Sequence, residues 1–223
     1  MKHDPLTWFF VASLAFLGVY LYSRLPYKEW YTEKDRRRSL AALARKLRMQ
    51  FHPNLDFEFA RRYLFLSWLN RGVNNCASNV FEGVQQGSPV TFFDYSCTAG
   101  KATFYWSAYV LAASGNFPEL LISHESRESR VPETPGEAQI AFESAGFSRT
   151  FRVRAADKKF ASDICCPRLL EFLQANKDLT LEIRGNAVAV LFEDWLHPDK
   201  VERDLARIGE IRKLLPAYLF AGN

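Results

Sequence analysis

The 223 residues are 48% apolar, with 19 phenylalanines and no low-complexity tract, a composition that excludes a disordered chain. The formal net charge of +4 is uneven: residues 1–50 hold ten Lys/Arg against four Asp/Glu, and residues 51–223 hold nineteen against twenty-one. A nucleic-acid binder carries its basic residues on the folded domain, so the slightly acidic larger part argues against nucleic acid as a partner.

From the N-terminus, Leu6 to Tyr22 is an unbroken run of apolar and small uncharged residues. Seventeen residues of helix rise about 25 Å, close to the hydrocarbon thickness of a bilayer. The run predicts a transmembrane helix over residues 6–23 behind a five-residue N-terminus. Its anchor residues would be Leu6, Trp8, Phe9, Phe10, Phe16, Leu17, Tyr20 and Tyr22. A cleaved signal peptide fits less well, because the apolar stretch is long and no small-x-small site follows it. Arg24, Lys28, Lys34, Arg36, Arg37 and Arg38 follow the run and only Lys2 precedes it, a bias that predicts N-terminus out and C-terminal domain cytoplasmic. The same six cations predict contact with anionic head groups of the lipid bilayer.

Residues 24–50 read as a basic neck and helix, with Thr32 as N-cap and Leu40, Leu43, Ala44 and Leu47 as the apolar stripe. Residues 51–223 read as one α+β domain. Phe57 to Leu69 predicts a helix. Asn79–Val84 and Val90–Tyr95 flank a Gly/Ser/Pro turn and predict a hairpin, followed by strands over Ala102–Ala112 and Phe117–Ser123. His124 to Glu137 reads as an exposed loop, and Gln139–Glu143 and Thr150–Ala155 as strands. Asp157–Asp163 reads as a short helix turn, and Pro167 opens another helix. Leu179–Arg184 and Ala187–Phe192 read as a second hairpin turned by Gly185-Asn186. A long terminal helix from His197 carries Val201, Leu205, Ile208, Ile211, Leu215 and Leu219 on one face. Hairpins with flanking helices, rather than β-α alternation, predict an antiparallel sheet capped by that helix, an architecture comparable to pleckstrin-homology-like modules.

The blocks Asn79-Val80-Phe81-Glu82-Gly83 and Val90-Thr91-Phe92-Phe93-Asp94-Tyr95 form a pattern with Phe151-Arg152-Val153, Gly185 and Leu214-Leu215-Pro216. Over about residues 70–220 that pattern resembles a family of uncharacterised bacterial membrane-associated proteins. The resemblance implies a fold and membrane association and carries over no catalytic residue.

Motifs for chemistry are absent. The four histidines are scattered, Cys165-Cys166 is ill-suited to one tetrahedral ion, and no Walker, GxGxxG or GxSxG sequence occurs. No catalytic, cofactor or metal residue is therefore assigned. Cys97 with His124 is a conceivable nucleophile and base, outweighed by a buried thiol. Asp94 amid aromatics reads as a strand-end acid holding a turn more readily than as a perturbed catalytic one. Tyr105, Trp106 and Tyr109 form a candidate partner surface, with core packing as the competing explanation. The leading expectation is a single-pass membrane-anchored binding or scaffolding module with an unidentified protein or lipid partner. The alternatives are a membrane-tethered enzyme with a dispersed site, and an envelope protein with Cys76 and Cys97 oxidised.

Overall fold

The computed structural model describes residues 26–85, 87–128, 138–140 and 145–220. Helix α1 (Pro26–Leu47) opens on a proline, whose fixed φ and missing N–H suit a first helical turn. It closes where Arg48 takes a left-handed backbone (φ 56°) and the Met49 N–H donates to the Ala44 carbonyl at 3.0 Å. That reversal delivers the chain to strand β1 (Gln50–His52). Helix α2 (Phe57–Arg61) starts at Asp56, whose carboxylate accepts the Phe59 N–H at 2.7 Å.

Three long strands follow: β2 (Val73–Gln85), β3 (Ser88–Ala99) and β4 (Ala102–His124). Between β3 and β4 the positive φ falls on Gly100 alone, the pattern of a type II′ hairpin turn. Helix α3 (Glu125–Glu128), β5 (Ala138–Ile140), α4 (Ala145–Thr150) and β6 (Phe151–Ala155) come next. Helix α5 (Lys158–Ile164) is capped by Asp157, and α6 (Pro167–Ala175) begins on its proline. Strand β7 (Leu179–Phe192), helix α7 (Val201–Leu214) and a 3₁₀ turn (Ala217–Leu219) complete the described chain.

Among the described residues the strands form one seven-stranded sheet of antiparallel pairs, in the order β1-β2-β3-β4-β6-β5, with β7 also on β4. The first half of β4 pairs with β3 and its last five residues with β6, while β7 follows it from Ser107↔Phe192 to Ile122↔Leu181. Side chains alternate across the pleat. Phe81, Phe92, Tyr109 and Val190 enter a core with α1, α5, α6 and α7; Phe93, Tyr95, Trp106 and Ala189 enter a second core under Phe59, Leu66, Trp68 and Leu69.

Several expectations change. The expected transmembrane helix over residues 6–23, with all its anchor residues, lies outside the described residues. Among the described residues no helix is long and apolar enough to cross a membrane. Helix α1, with its Glu-Lys-Asp-Arg-Arg-Arg run, is far too polar for hydrocarbon. The expected fold class with its spanning helix, and the single-pass placement with a cytoplasmic C-terminal domain, are corrected to an α+β fold built on a mostly antiparallel sheet.

The long C-terminal helix is likewise absent. Helix α7 has 14 residues and stops because Pro216 forces Leu215 into an extended backbone (φ −78°, ψ 148°). Gly185-Asn186 does not turn a hairpin; β7 runs through it and stays on β4, with Gly185 at φ 57° inside a register shift. The neck is already helix from Pro26, ahead of the expected start at Thr32, and the helix expected over 57–69 is reduced to its first five residues.

Helix α1 is tied to the sheet by an ion pair. Arg36 Nη1 donates to Asp94 Oδ2 at 2.8 Å and to the Leu196 carbonyl at 3.0 Å. Asp94 is fully buried, and Arg36 keeps 13% of its side-chain surface. Arg36→Met strands a buried carboxylate and is expected to cost about 3–5 kcal/mol in urea unfolding. Arg38→Met removes the exposed pair to Asp35 (3.2 Å) and is expected to cost under about 1 kcal/mol. Equal losses would contradict this division.

Candidate functional site: a cationic groove between α1 and β1

Two buried carboxylate clusters attract attention first. Asp94 sits mid-strand, and its oxygens accept from Arg36, from Asn79 Nδ2 at 2.7 Å and from the Leu196 N–H at 2.6 Å. Asn79 reaches it because β2 bulges there: the register shifts between Ser78 and Phe81, and Asn79 is left-handed (φ 48°). Burial pushes the Asp94 carboxyl up, against Arg36, the Leu196 N–H and Asn79, which favour its charged form. With no exposed surface it can meet no substrate, so its role is to fasten α1 and the strand-to-α7 loop.

The second cluster lies on the opposite face of the sheet. Glu182 Oε1 accepts the Ser67 N–H at 2.5 Å and Oε2 the Trp68 N–H at 3.0 Å. Glu119 accepts from the Ser67 hydroxyl and pairs with Arg184 at 2.7 Å. Burial lifts the Glu182 carboxyl to about 7, against the Trp68 and Ser67 N–H groups, and Glu119 adds to the rise. Burial likewise lowers Arg71, whose guanidinium lies over the Trp68 ring, to about 9. Two neighbouring carboxylates are the ingredients of acid–base catalysis, but Glu182 is wholly buried and its two oxygens are taken up by backbone donors. It holds the irregular 62–69 segment onto the sheet.

The accessible site lies elsewhere. A groove of about 500 Å³ runs between α1 and β1. Lys34, Arg37, Arg38 and Ala41 recur at helical spacing along its α1 wall, joined by Glu33; Phe51, Pro53 and Asn54 form the other. The Phe51 ring is held against Phe81, with centroids 4.7 Å apart. Glu33 accepts from Arg36 (2.8 Å) and from Arg37 (2.8 Å). Burial alone would raise the Glu33 carboxyl, but these two guanidiniums outweigh it and hold it below its ordinary value. Three cations against one carboxylate leave the lining at a formal +2, over the apolar surfaces of Ala41, Phe51 and Pro53.

The residues singled out in the sequence are divided by the fold. Lys34, Arg37 and Arg38 meet in the groove, whereas Arg36 turns inward to Asp94. Arg24 and the side chain of Lys28 lie outside the described residues. Tyr105, Trp106 and Tyr109 do not share a surface. Trp106 and Tyr109 are buried in opposite cores, and Tyr105, 44% exposed, packs on Trp195 with centroids 4.4 Å apart. The four cysteines are free thiols; Cys76, Cys97 and Cys165 are buried, and burial pushes Cys165 up to about 12. Among the described residues no group of three or more His, Cys, Asp or Glu is placed to hold a metal ion. Sequence reading missed the apolar wall; its signal was the Phe51-His52-Pro53-Asn54 break directly after a basic helix. A further polar hollow of about 270 Å³ lies at the start of α7. Its acids are engaged, Asp194 by His197 at 2.7 Å and Asp204 by Arg203 at 3.1 Å and Arg207 at 3.4 Å.

Glu182 makes folding pH-dependent. Its folded pKa lies above the ordinary 4.5, so between about pH 4.5 and 7 the native state holds a proton that the unfolded chain has released. Its contribution to stability is therefore expected to fall as pH rises through that window, and to level off above about 7. Glu182→Gln should lose this part of the slope when unfolding free energies of the two proteins are compared from pH 4 to 8. Parallel pH curves would count against it.

No family model matches the chain, and no curated protein matches it. Among solved structures, the crystal structure of the mycobacterial trehalose monomycolate transport factor A, TtfA, is similar. The likeness covers 81% of this chain and 96% of that one, at a TM-score of 0.61 and 12% identity. At that identity the likeness is one of fold alone.

Proposed function

We propose that this chain is a binding module without chemistry of its own, which receives an anionic partner in the groove between α1 and β1. The observation that carries the reading is the pairing of three cations with a pre-formed apolar wall in a single groove. Among the described residues Arg37 pairs with the half-buried Glu33 and Arg38 with Asp35, each one turn away on the same helix. Such pairs are worth a few tenths of a kcal/mol and are readily exchanged for a ligand anion. The buried carboxylates that could suggest an enzyme serve the fold, being closed off from solvent.

Anilinonaphthalene sulfonate, an aromatic anion, is a direct probe. Its fluorescence is expected to rise with one saturable site on the native protein, and the affinity to drop as salt screens the cations. The triple variant Lys34→Glu, Arg37→Glu, Arg38→Glu should bind it about tenfold more weakly or less, with an unchanged unfolding midpoint beforehand as the control for folding. Undiminished binding by that variant would remove the groove as the site and the reading with it.

A further inference from the structure

We infer that the occupant of the groove is a single small amphiphile, an alkyl or acyl chain ending in a phosphate or carboxylate. The inference rests on the binding reading above. A volume of about 500 Å³ falls in the range of small-molecule sites, whereas a protein partner engages some 20–30 residues a side. Ala41, Phe51 and Pro53 are all half-buried and offer carbon only, so they suit a chain rather than a sugar or a base, which needs directed hydrogen bonds. The polar groups of the lining are Lys34, Arg37 and Arg38 with the single carboxylate Glu33 on one side, and Asn54 on the other, so the net lining charge stays positive. Arg37 spends its Nε on Glu33 at 2.8 Å, and Arg38 places Nη1 on Asp35 at 3.2 Å. A guanidinium has five N–H donors in a planar fork, so each has donors beyond those bonds for a phosphate or carboxylate. Ala41 decides how much room the chain has. It lies one helical turn beyond Arg37 and Arg38 on the groove wall, where any larger side chain would occupy the space.

Charge and chain make separable demands, and a homologous series of monoalkyl phosphates, butyl to decyl, tests both. Each is titrated calorimetrically below its micelle concentration, with inorganic phosphate as the chainless member. Affinity is expected to rise about two- to fourfold per methylene until the wall is covered. Ala41→Phe, a change on a partly exposed helix face, should flatten that slope and leave the binding of inorganic phosphate unchanged. Phe51→Ser tests the opposite wall independently. Lys34→Gln, Arg37→Gln, Arg38→Gln should weaken every member of the series by a similar factor.

A flat series on the wild-type protein whose binding still falls in the triple glutamine variant would overturn the amphiphile and leave an anion-binding groove. Binding indifferent to the triple variant would bring down the binding reading itself. Association with phosphatidylglycerol vesicles but with no monomeric amphiphile would overturn the inference in favour of a membrane surface.

Discussion

A strand of 23 residues has to find hydrogen-bond partners for two edges along its whole length, and the fold is organised by how β4 meets that demand. One edge is served by β3 up to Leu111 and by β6 from Leu120; the other is served by β7 from Ser107 to Ile122. Neither long strand stays regular. Between Ala112 and Phe117 four residues of β4 face only Asn186 of β7, and a second shift follows before Leu120. Pro118 lies in that second irregularity, where a missing N–H is tolerated. The Ser114 hydroxyl lies in the first, and it donates to the carbonyls of Tyr218 and Leu219, fastening the chain's 3₁₀ turn to the bend. The sheet thus acquires two ends, and the helices and the irregular 62–69 segment divide between its two faces.

Each face buries charge in its own way. On the helical side Asp94 is matched by a cation from a helix, an amide and a backbone N–H. On the other side Glu182 is matched mainly by backbone N–H groups, with Glu119 and Arg184 beside it. A buried carboxylate without partners costs several kcal/mol, so these arrangements select one packing of α1 and one path for residues 62–69.

The ion pair beneath α1 has a consequence above it. Successive residues of a helix are 100° apart, so fixing Arg36 on Asp94 fixes the rotation of the whole helix. With Arg36 inward, Leu40, Leu43 and Ala44 meet the sheet, and Lys34, Arg37, Arg38 and Ala41 line the groove beside Phe51. A stability device and a binding surface are in this way two sides of one helix.

By itself the sequence determined the local elements. Asp157 and Pro167 mark helix starts, Gly100 a tight turn, and the apolar periods of α1 and α7 their buried faces, whereas the stop at Pro216 cuts short the helix that the apolar period alone extends to Leu219. Those signals act within a few residues, through caps, fixed φ angles and side-chain spacing. Tertiary structure alone decided that Gly185-Asn186 is a bulge inside one strand, because β4 continues past it and holds β7 in line. It also decided that one arginine of Arg36-Arg37-Arg38 turns inward to a buried carboxylate while the next two line a groove. The partners that settle this are 58 and 160 residues from Arg36 along the chain, a distance at which no local pattern operates.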